Sequence, residues 1–218
     1  MKNIIFLIFA SVFLAACGQN PTQARADYEL AMQHMRGLGV AQDQALAMQY
    51  LTRASEEGSS DAQLVLGFSY LKGQGVPQDA TKAVQFFAKA AAKGNKDAQY
   101  NVGLAYIRGE GVVKDLEKAA TWFEKAALQD DAGAQYNMGV MYLNGEGVPR
   151  DPLIAYAWFK LADEKSYEGA KKGMISAQNA MTKEQTQSIE ATVADLRERI
   201  AKQKPQEKMS LEQQNAPL

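Results

Sequence analysis

Hydrophobic positions along the chain fall into two regimes. From Ile4 to Ala16 the residues are small or apolar without a break, behind a single charge at Lys2. Beyond about residue 25, apolar and polar positions alternate with the three-and-four spacing of one helix face. Residues 97–132 show the unit. Tyr100, Gly103, Leu104 and Ile107 mark a first helix, and Ala119, Trp122, Phe123, Ala126 and Ala127 a second. Gly109, Gly111 and Val112 stand between them. A glycine tolerates the left-handed conformation that helix ends often need, which suits Gly109. Gly111 allows a second bend and Val112 can plug the joint. A short polar side chain can accept the free amide hydrogens of a first helical turn, so Asp97 and Asp115 are expected to cap the two helices.

The same phrase, Gly-x-Gly-Val-x-x-Asp, occurs four times, starting at Gly37, Gly73, Gly109 and Gly145. Its aspartates are Asp43, Asp79, Asp115 and Asp151, so the period is 36 residues each time. A fixed period of this size marks a repeat architecture. The second unit keeps the same roles with Gly67, Phe68, Tyr70, Ala83, Phe86, Phe87 and Ala90, and the fourth with Gly139, Val140, Tyr142, Ala155, Trp158, Phe159 and Ala162. The first is a weaker copy, with Ala31, Met32, His34, Ala47, Tyr50, Leu51 and Ala54. Pro152 follows Asp151 at a first helical position, where its missing amide hydrogen is not needed. Each buried Phe-sized side chain is worth about 1.5–3 kcal/mol over exposure. One helix pair cannot shield its own apolar face, so neighbours must stack.

These units resemble Sel1-like repeats, relatives of the tetratricopeptide repeats. The resemblance is carried by Ala98 through Gly103 and Tyr106, by the Gly-x-Gly-Val-x-x-Asp phrase, and by Lys118-Ala119, Trp122-Phe123 and Ala126-Ala127; Val102 stands where the family usually has leucine. It implies an all-α fold, a right-handed α-solenoid of helix pairs over residues 25–180. The expected repeats are 25–60, 61–96, 97–132 and 133–168, with a partial one at 169–180. After Ala162 the phrase does not return. Thr182 and Gln185 read as a capping box, and Ile189, Val193, Leu196 and Ile200 line one face. A C-terminal capping helix is therefore expected over 181–203. The polar stretch 204–218, with Pro205 and Pro217, reads as a disordered tail.

The N-terminal run is too short for a membrane-spanning helix, which needs about 20 apolar residues. With its positive start it reads as a secretory leader, residues 1–16. The junction Leu14-Ala15-Ala16-Cys17 resembles the bacterial lipobox, in which the cysteine carries the lipid. Cys17 is the only cysteine in the chain, which excludes an internal disulfide framework. Gly18 after it leans, by the same resemblance, toward the periplasmic face of the outer membrane. Residues 17–24 are expected to be a lipid-anchored tether.

Composition then closes off most chemistry. The formal net charge is −1, with no basic footprint for nucleic acid. The glycine pairs lie between helices, unlike the strand–turn–helix of a dinucleotide cradle. His34, the only histidine, aligns with Tyr70, Tyr106 and Tyr142 and reads as a packing position. One histidine and one cysteine cannot assemble a zinc site or a Cys-His pair, so no metal and no cofactor is expected. No phrase singles out a nucleophilic serine. The chain is read as a non-enzyme.

What remains are columns on the first helices. In tetratricopeptide-like stacks this helix lines the concave groove, so resemblance places Tyr28, Leu64, Tyr100 and Tyr136 there, with Asn101 and Asn137 beside them and Arg36, Lys72 and Arg108 at its border. Tyrosine offers apolar area and a hydroxyl, and asparagine can bond a peptide backbone. Arginine or lysine could hold a carboxylate. The same columns also suit plain packing, with tyrosines between repeats and asparagines on neighbouring backbone. The expected function is a lipid-anchored envelope scaffold that binds a protein or peptide partner. The alternative is binding or modification of cell-wall material, peptidoglycan or β-lactam. Cysteine-rich relatives associated with penicillin binding carry a disulfide in each repeat, and this chain has none.

Overall fold

The computed structural model describes the backbone of residues 20–215 and the side chains of residues 20–203. The leader at 1–16, Cys17 and the start of the tether lie outside the described residues, as do residues 216–218. The described residues form eleven helices and no strand. The first eight make four pairs: α1 (Pro21–Arg36) with α2 (Gln44–Glu56), α3 (Ser60–Lys72) with α4 (Ala80–Ala92), α5 (Lys96–Arg108) with α6 (Leu116–Leu128), and α7 (Ala132–Asn144) with α8 (Pro152–Glu164). Then come α9 (Ala170–Asn179), α10 (Lys183–Gln187) and α11 (Ile189–Asn215). The helices group into two compact units, one ending at Asn95 and the other beginning at Lys96.

Within each unit the partners of a pair pack together and the second helix of one pair packs on the first of the next. The turn of the fourth repeat shows how the phrase works. Gly145 adopts the left-handed conformation, and its amide donates to Met141 O at 2.8 Å. The chain then folds back so that the Asp151 amide donates to Tyr142 O at 2.9 Å. Arg150 Nε donates to Leu143 O at 2.9 Å, closing another carbonyl left open at the helix end. Asp151 Oδ1 accepts from the amides of Leu153 and Ile154 and starts α8. Asp43, Asp79 and Asp115 start α2, α4 and α6 in the same way.

Asp97 is a correction to the sequence reading: it lies inside the first turn of α5 and does not precede it. The caps of α3 and α7 are Ser59 and Asp131, and Asp97 stands two residues past the position they define. The expected tether is also shorter. Asn20 accepts from the Gln23 amide and Pro21 occupies the first turn, so residues 21–24 are already helical.

Packing inside a pair turns on one small residue facing one ring. A Cβ on Gly103 would lie 2.7 Å from Phe123 Cε1, and the same closeness holds between Gly67 and Phe87 and between Gly139 and Phe159. The first repeat has Ala31 and Leu51 at these positions, both fully buried. The extra methyl is matched by a smaller partner. Gly103→Ala is therefore expected to cost about 1–3 kcal/mol through overpacking. Adding Phe123→Leu should recover part of that loss, since the double variant reproduces the first repeat. Urea denaturation of the four proteins checks this; a double variant whose loss equals the sum of the single losses would reject the coupling.

Between repeats, a buried glutamine ties the helices. Gln63 Nε2 donates to Ser55 O at 3.2 Å in the first unit, and Gln135 Nε2 to Ala127 O at 3.2 Å in the second. Gln99 occupies the same register, and its Oε1 accepts from Gln129 Nε2 at 2.7 Å. The first repeat has Asp27 there. It is fully buried and paired with the Arg53 guanidinium, with Gln23 Nε2 adding a bond at 3.0 Å. The Arg53 bond is the main cause holding the Asp27 carboxyl below the ordinary carboxylate range, against the opposing effect of burial. A group with a lowered folded-state pKa adds stability above its unfolded pKa and loses it as pH falls through the folded value. Asp27→Asn should thus weaken the protein clearly at pH 7 and much less at pH 3. A stability gap that stays constant across that range would reject the ion pair's contribution.

The end of the second unit is closed by α9 and α11. Helix α9 packs on α8, and Gly173 lets it approach the Phe159 ring closely. Thr182 and Gln185 form the expected capping box, but the helix they start is short. The single capping helix expected over 181–203 is two helices, α10 and α11, separated at Ser188. Helix α11 also continues to Asn215, past the boundary expected at 203. It lays Val193, Leu196 and Ile200 on α8 and α6, burying Trp158 and Leu161. In the first three repeats the register of Leu161 holds Arg53, Lys89 and Lys125, each over the aromatic ring three residues earlier. No helix among the described residues is long and apolar enough to cross a membrane.

Candidate functional site

The first helices carry the residues singled out from the sequence. Their register is set by the glycine or alanine at Ala31, Gly67, Gly103 and Gly139, buried against the second helix. Three residues earlier the side chain leaves that contact half-buried, which is where Tyr28, Leu64, Tyr100 and Tyr136 stand.

In the first unit, Tyr28 packs at the edge of the core of α1–α3. Burial pushes its hydroxyl above the ordinary phenol range, the Asp61 charge adds to this, and Arg36 opposes it. Leu64 is half-buried beside Val65. Val65 lines a cavity of about 450 Å³ with Met35, Phe68, Ser69, Gln44 and Gly75. Arg36 and Lys72 are exposed at the far ends of α1 and α3, and the Lys72 ammonium lies 5.7 Å from the centre of the Phe68 ring. This face is mainly apolar, with two cations at one end.

The second unit differs. Tyr100 rests on Phe123 with ring centres 5.6 Å apart, and its edge lies against Gly133 at the start of α7. Tyr136 repeats the arrangement one period later, 5.4 Å from Phe159 and against Gly169. Tyr167 then joins them. Its ring centre is 5.1 Å from that of Tyr136, and Tyr100 is near enough to act on its hydroxyl. Burial and the neighbouring Tyr100 raise the Tyr167 hydroxyl above the ordinary phenol range. Asn101 Nδ2 donates to Asp97 O at 2.7 Å, and Asn137 Nδ2 to Gly133 O at 2.8 Å. Each asparagine thereby spends one of its two amide hydrogens on its own helix and keeps the other, with its carboxamide oxygen, for a further bond. Asp131, the cap of α7, is half-buried close by. Burial raises its carboxyl, the cap bond from Ala134 opposes this, and the Asp97 charge adds to the rise.

The structure thus gathers Tyr100 and Tyr136 into one cluster and keeps Arg108 out of it. Arg108 lies eight residues further along α5, about 12 Å away along the axis, and its guanidinium is 3.9 Å from Glu110. Two members of the cluster, Tyr167 and Asp131, escape the sequence reading, because neither belongs to a column of like residues. His34 stacks on Tyr50 with ring centres 5.8 Å apart, which makes it a packing residue. No group of three or more His, Cys, Asp or Glu among the described residues is placed to hold a metal ion.

The family model of the Sel1 repeat matches residues 24–59, 60–95, 96–131 and 132–165. Among solved structures, the chain is similar to a protective antigen present in uropathogenic Escherichia coli strains that displays an SLR fold. The two share 33% identity over 89% of this chain and 41% of that one, with a TM-score of 0.71. It is also similar to a Sel1 repeat protein from Oxalobacter formigenes, at 30% identity over 69% of this chain and 62% of that one, with a TM-score of 0.67. The chain therefore spans less than two thirds of the length of either. No curated protein matches it.

Proposed function

Because the chain belongs to the Sel1 repeat family, whose members generally mediate protein–protein interaction, we propose that it is an envelope scaffold, lipid-anchored through Cys17, that binds a protein or peptide partner through the first-helix face of its repeats. The observation that carries this reading is the repeated pair Tyr100–Asn101 and Tyr136–Asn137. Both pairs stand at the same height on α5 and α7, with half-exposed rings and carboxamide oxygens left to accept. Such a row suits the backbone amides of an extended segment, with tyrosine providing contact area at low conformational cost. The mechanism is recruitment, with no bond made or broken. The partner is an unidentified envelope protein or peptide.

The anchor rests on the apolar run 4–16 followed by Leu14-Ala15-Ala16-Cys17. We place the protein on this basis at the periplasmic face of an outer membrane. A single acyl chain binds a bilayer only marginally, so stable anchoring takes more than one chain or a second attachment. Cys17→Ser should release the protein from the membrane fraction or trap its uncleaved precursor. Processed, membrane-bound Cys17→Ser protein on fractionation would reject the anchor.

A further inference from the structure

We infer that the cavity between α1 and α3 in the first unit takes an apolar side chain from a partner segment that is acidic on either side of it, with Arg36 and Lys72 holding the carboxylates. The inference rests on the reading of the first helices as the binding face, and it names the chemistry that the first unit selects.

The two units treat one cation register differently. In the second unit the turn supplies its own carboxylate. The Arg108 guanidinium lies 3.9 Å from Glu110, and one period later Asn144 Nδ2 donates to Glu146 Oε1 at 3.3 Å. In the first unit the register of these glutamates holds Leu38 and Gln74, which carry no charge. The ion pairs of that unit among the described residues join Arg25 to Glu29, Arg53 to Asp27 and Lys82 to Asp79, and none includes Arg36 or Lys72. Nor are these cations spent on the helix ends where they stand. Gln42 Nε2 donates to Met35 O at 3.1 Å, and Gln78 Nε2 to Leu71 O at 2.9 Å.

The cavity supplies the second half of the match. Its volume is about 450 Å³, and Met35, Val65 and Phe68 make its apolar walls. Arg36 follows Met35 in the last turn of α1, and the Lys72 ammonium lies 5.7 Å from the centre of the Phe68 ring. Gln44 and Gln74 also line the cavity, and a carboxamide offers a donor and an acceptor to a peptide backbone. Methionine adapts its shape to an arriving side chain. Two cations one period apart call for two carboxylates. Side chains within a segment provide both, whereas a single terminal carboxylate leaves one cation unanswered.

The test titrates the full chain with a doubly blocked Gly-Glu-Leu-Glu-Gly peptide, reading the Met35 and Val65 methyl resonances. Matched peptides carry glutamine in place of both glutamates, or alanine in place of leucine. The parent peptide is expected to shift both methyls saturably, about tenfold more tightly than either control, and to weaken as salt is raised. Lys72→Gln, at an exposed position, should weaken it about threefold and leave the glutamine peptide unaffected. Leu38→Glu, also at an exposed position, gives Arg36 the carboxylate that Arg108 has and should weaken the peptide by about the same factor. Equal binding of the glutamate and glutamine peptides, unmoved methyls, or Lys72→Gln and Leu38→Glu variants that bind like the parent would each overturn the inference. A partner captured through the first helices equally well by the parent and by Lys72→Gln would also overturn it, while leaving the broader binding role intact.

Discussion

Gly147→Ala is expected to destabilise the second unit by about 3–5 kcal/mol, while Gly39→Ala, the same change at the same turn position of the first repeat, costs about 1–2 kcal/mol. Both glycines have positive φ, +71° and +75°, and the backbone term of about 1–2 kcal/mol is common to them. Their surroundings differ. A Cβ on Gly39 would meet nothing within 4 Å, whereas one on Gly147 would lie 2.2 Å from the Leu116 carbonyl oxygen. That neighbour is backbone at the start of α6 and cannot rotate away, so the turn must shift, at about 1–3 kcal/mol more. Calorimetry on both variants checks the contrast. Equal losses would mean that the turn yields freely and that close stacking of repeats does not depend on this glycine.

Leu196→Asp is expected to detach α11 and remove about 3–5 kcal/mol from the second unit. Leu196 is 3% exposed and packs with Trp158 and Leu161. Truncating such a leucine alone costs about 2–5 kcal/mol. A buried carboxylate adds several kcal/mol more, which undocking the helix avoids. The ion pairs from Arg197 to Glu164 and from Arg199 to Glu124 are solvent-exposed and contribute about 0–1 kcal/mol each, too little to hold the helix in place. Trp158, 1% exposed in the parent, should then enter water and its fluorescence shift to longer wavelength. Asp195→Ala, on the exposed side of α11, should leave the spectrum unchanged. A Leu196→Asp protein with parental fluorescence and stability would show that α11 does not shield the last repeat.

Much of this architecture is legible in the chain because the repeat is written in residues with few other uses. Gly145 and Asp151 recur at a fixed distance since a left-handed helix end and a capped helix start admit few substitutes. The same logic made His34 readable as a ring in a stack. Helix ends were less legible. Asp97 looks like a cap by type, yet the capping register is set two residues earlier by Ser59 and Asp131, and composition alone does not reveal that offset. The break at Ser188 lies in a polar segment where apolar spacing has little to say.

The candidate site was legible only as columns. Tyr100, Tyr136 and their asparagines could be placed on one helix face, but Tyr167 comes from the loop before α9 and joins the cluster only once the repeats are stacked. The signal that could have drawn the eye there is Gly133 followed one period later by Gly169, each bearing a tyrosine ring. The buried register of Asp27, Gln63, Gln99 and Gln135 was likewise in the sequence at the same 36-residue spacing. It is silent to hydrophobic patterning because polar residues are normally read as exposed. Leu161, where the first three repeats have Arg53, Lys89 and Lys125, marks the position that α11 buries, a difference whose meaning shows once α11 is in place.

The central claim is that the first-helix face binds a protein partner, and mild crosslinking of the anchored protein in its own envelope, followed by affinity capture, tests it most directly. The comparison is a variant carrying Asn101→Arg and Asn137→Arg, which crowds the face while the tyrosines and core remain, with its fold verified by circular dichroism. A protein captured by the parent and lost from the variant is the predicted result, and it would identify the partner. A protein captured equally by both would contradict the account and move the binding surface away from the first helices.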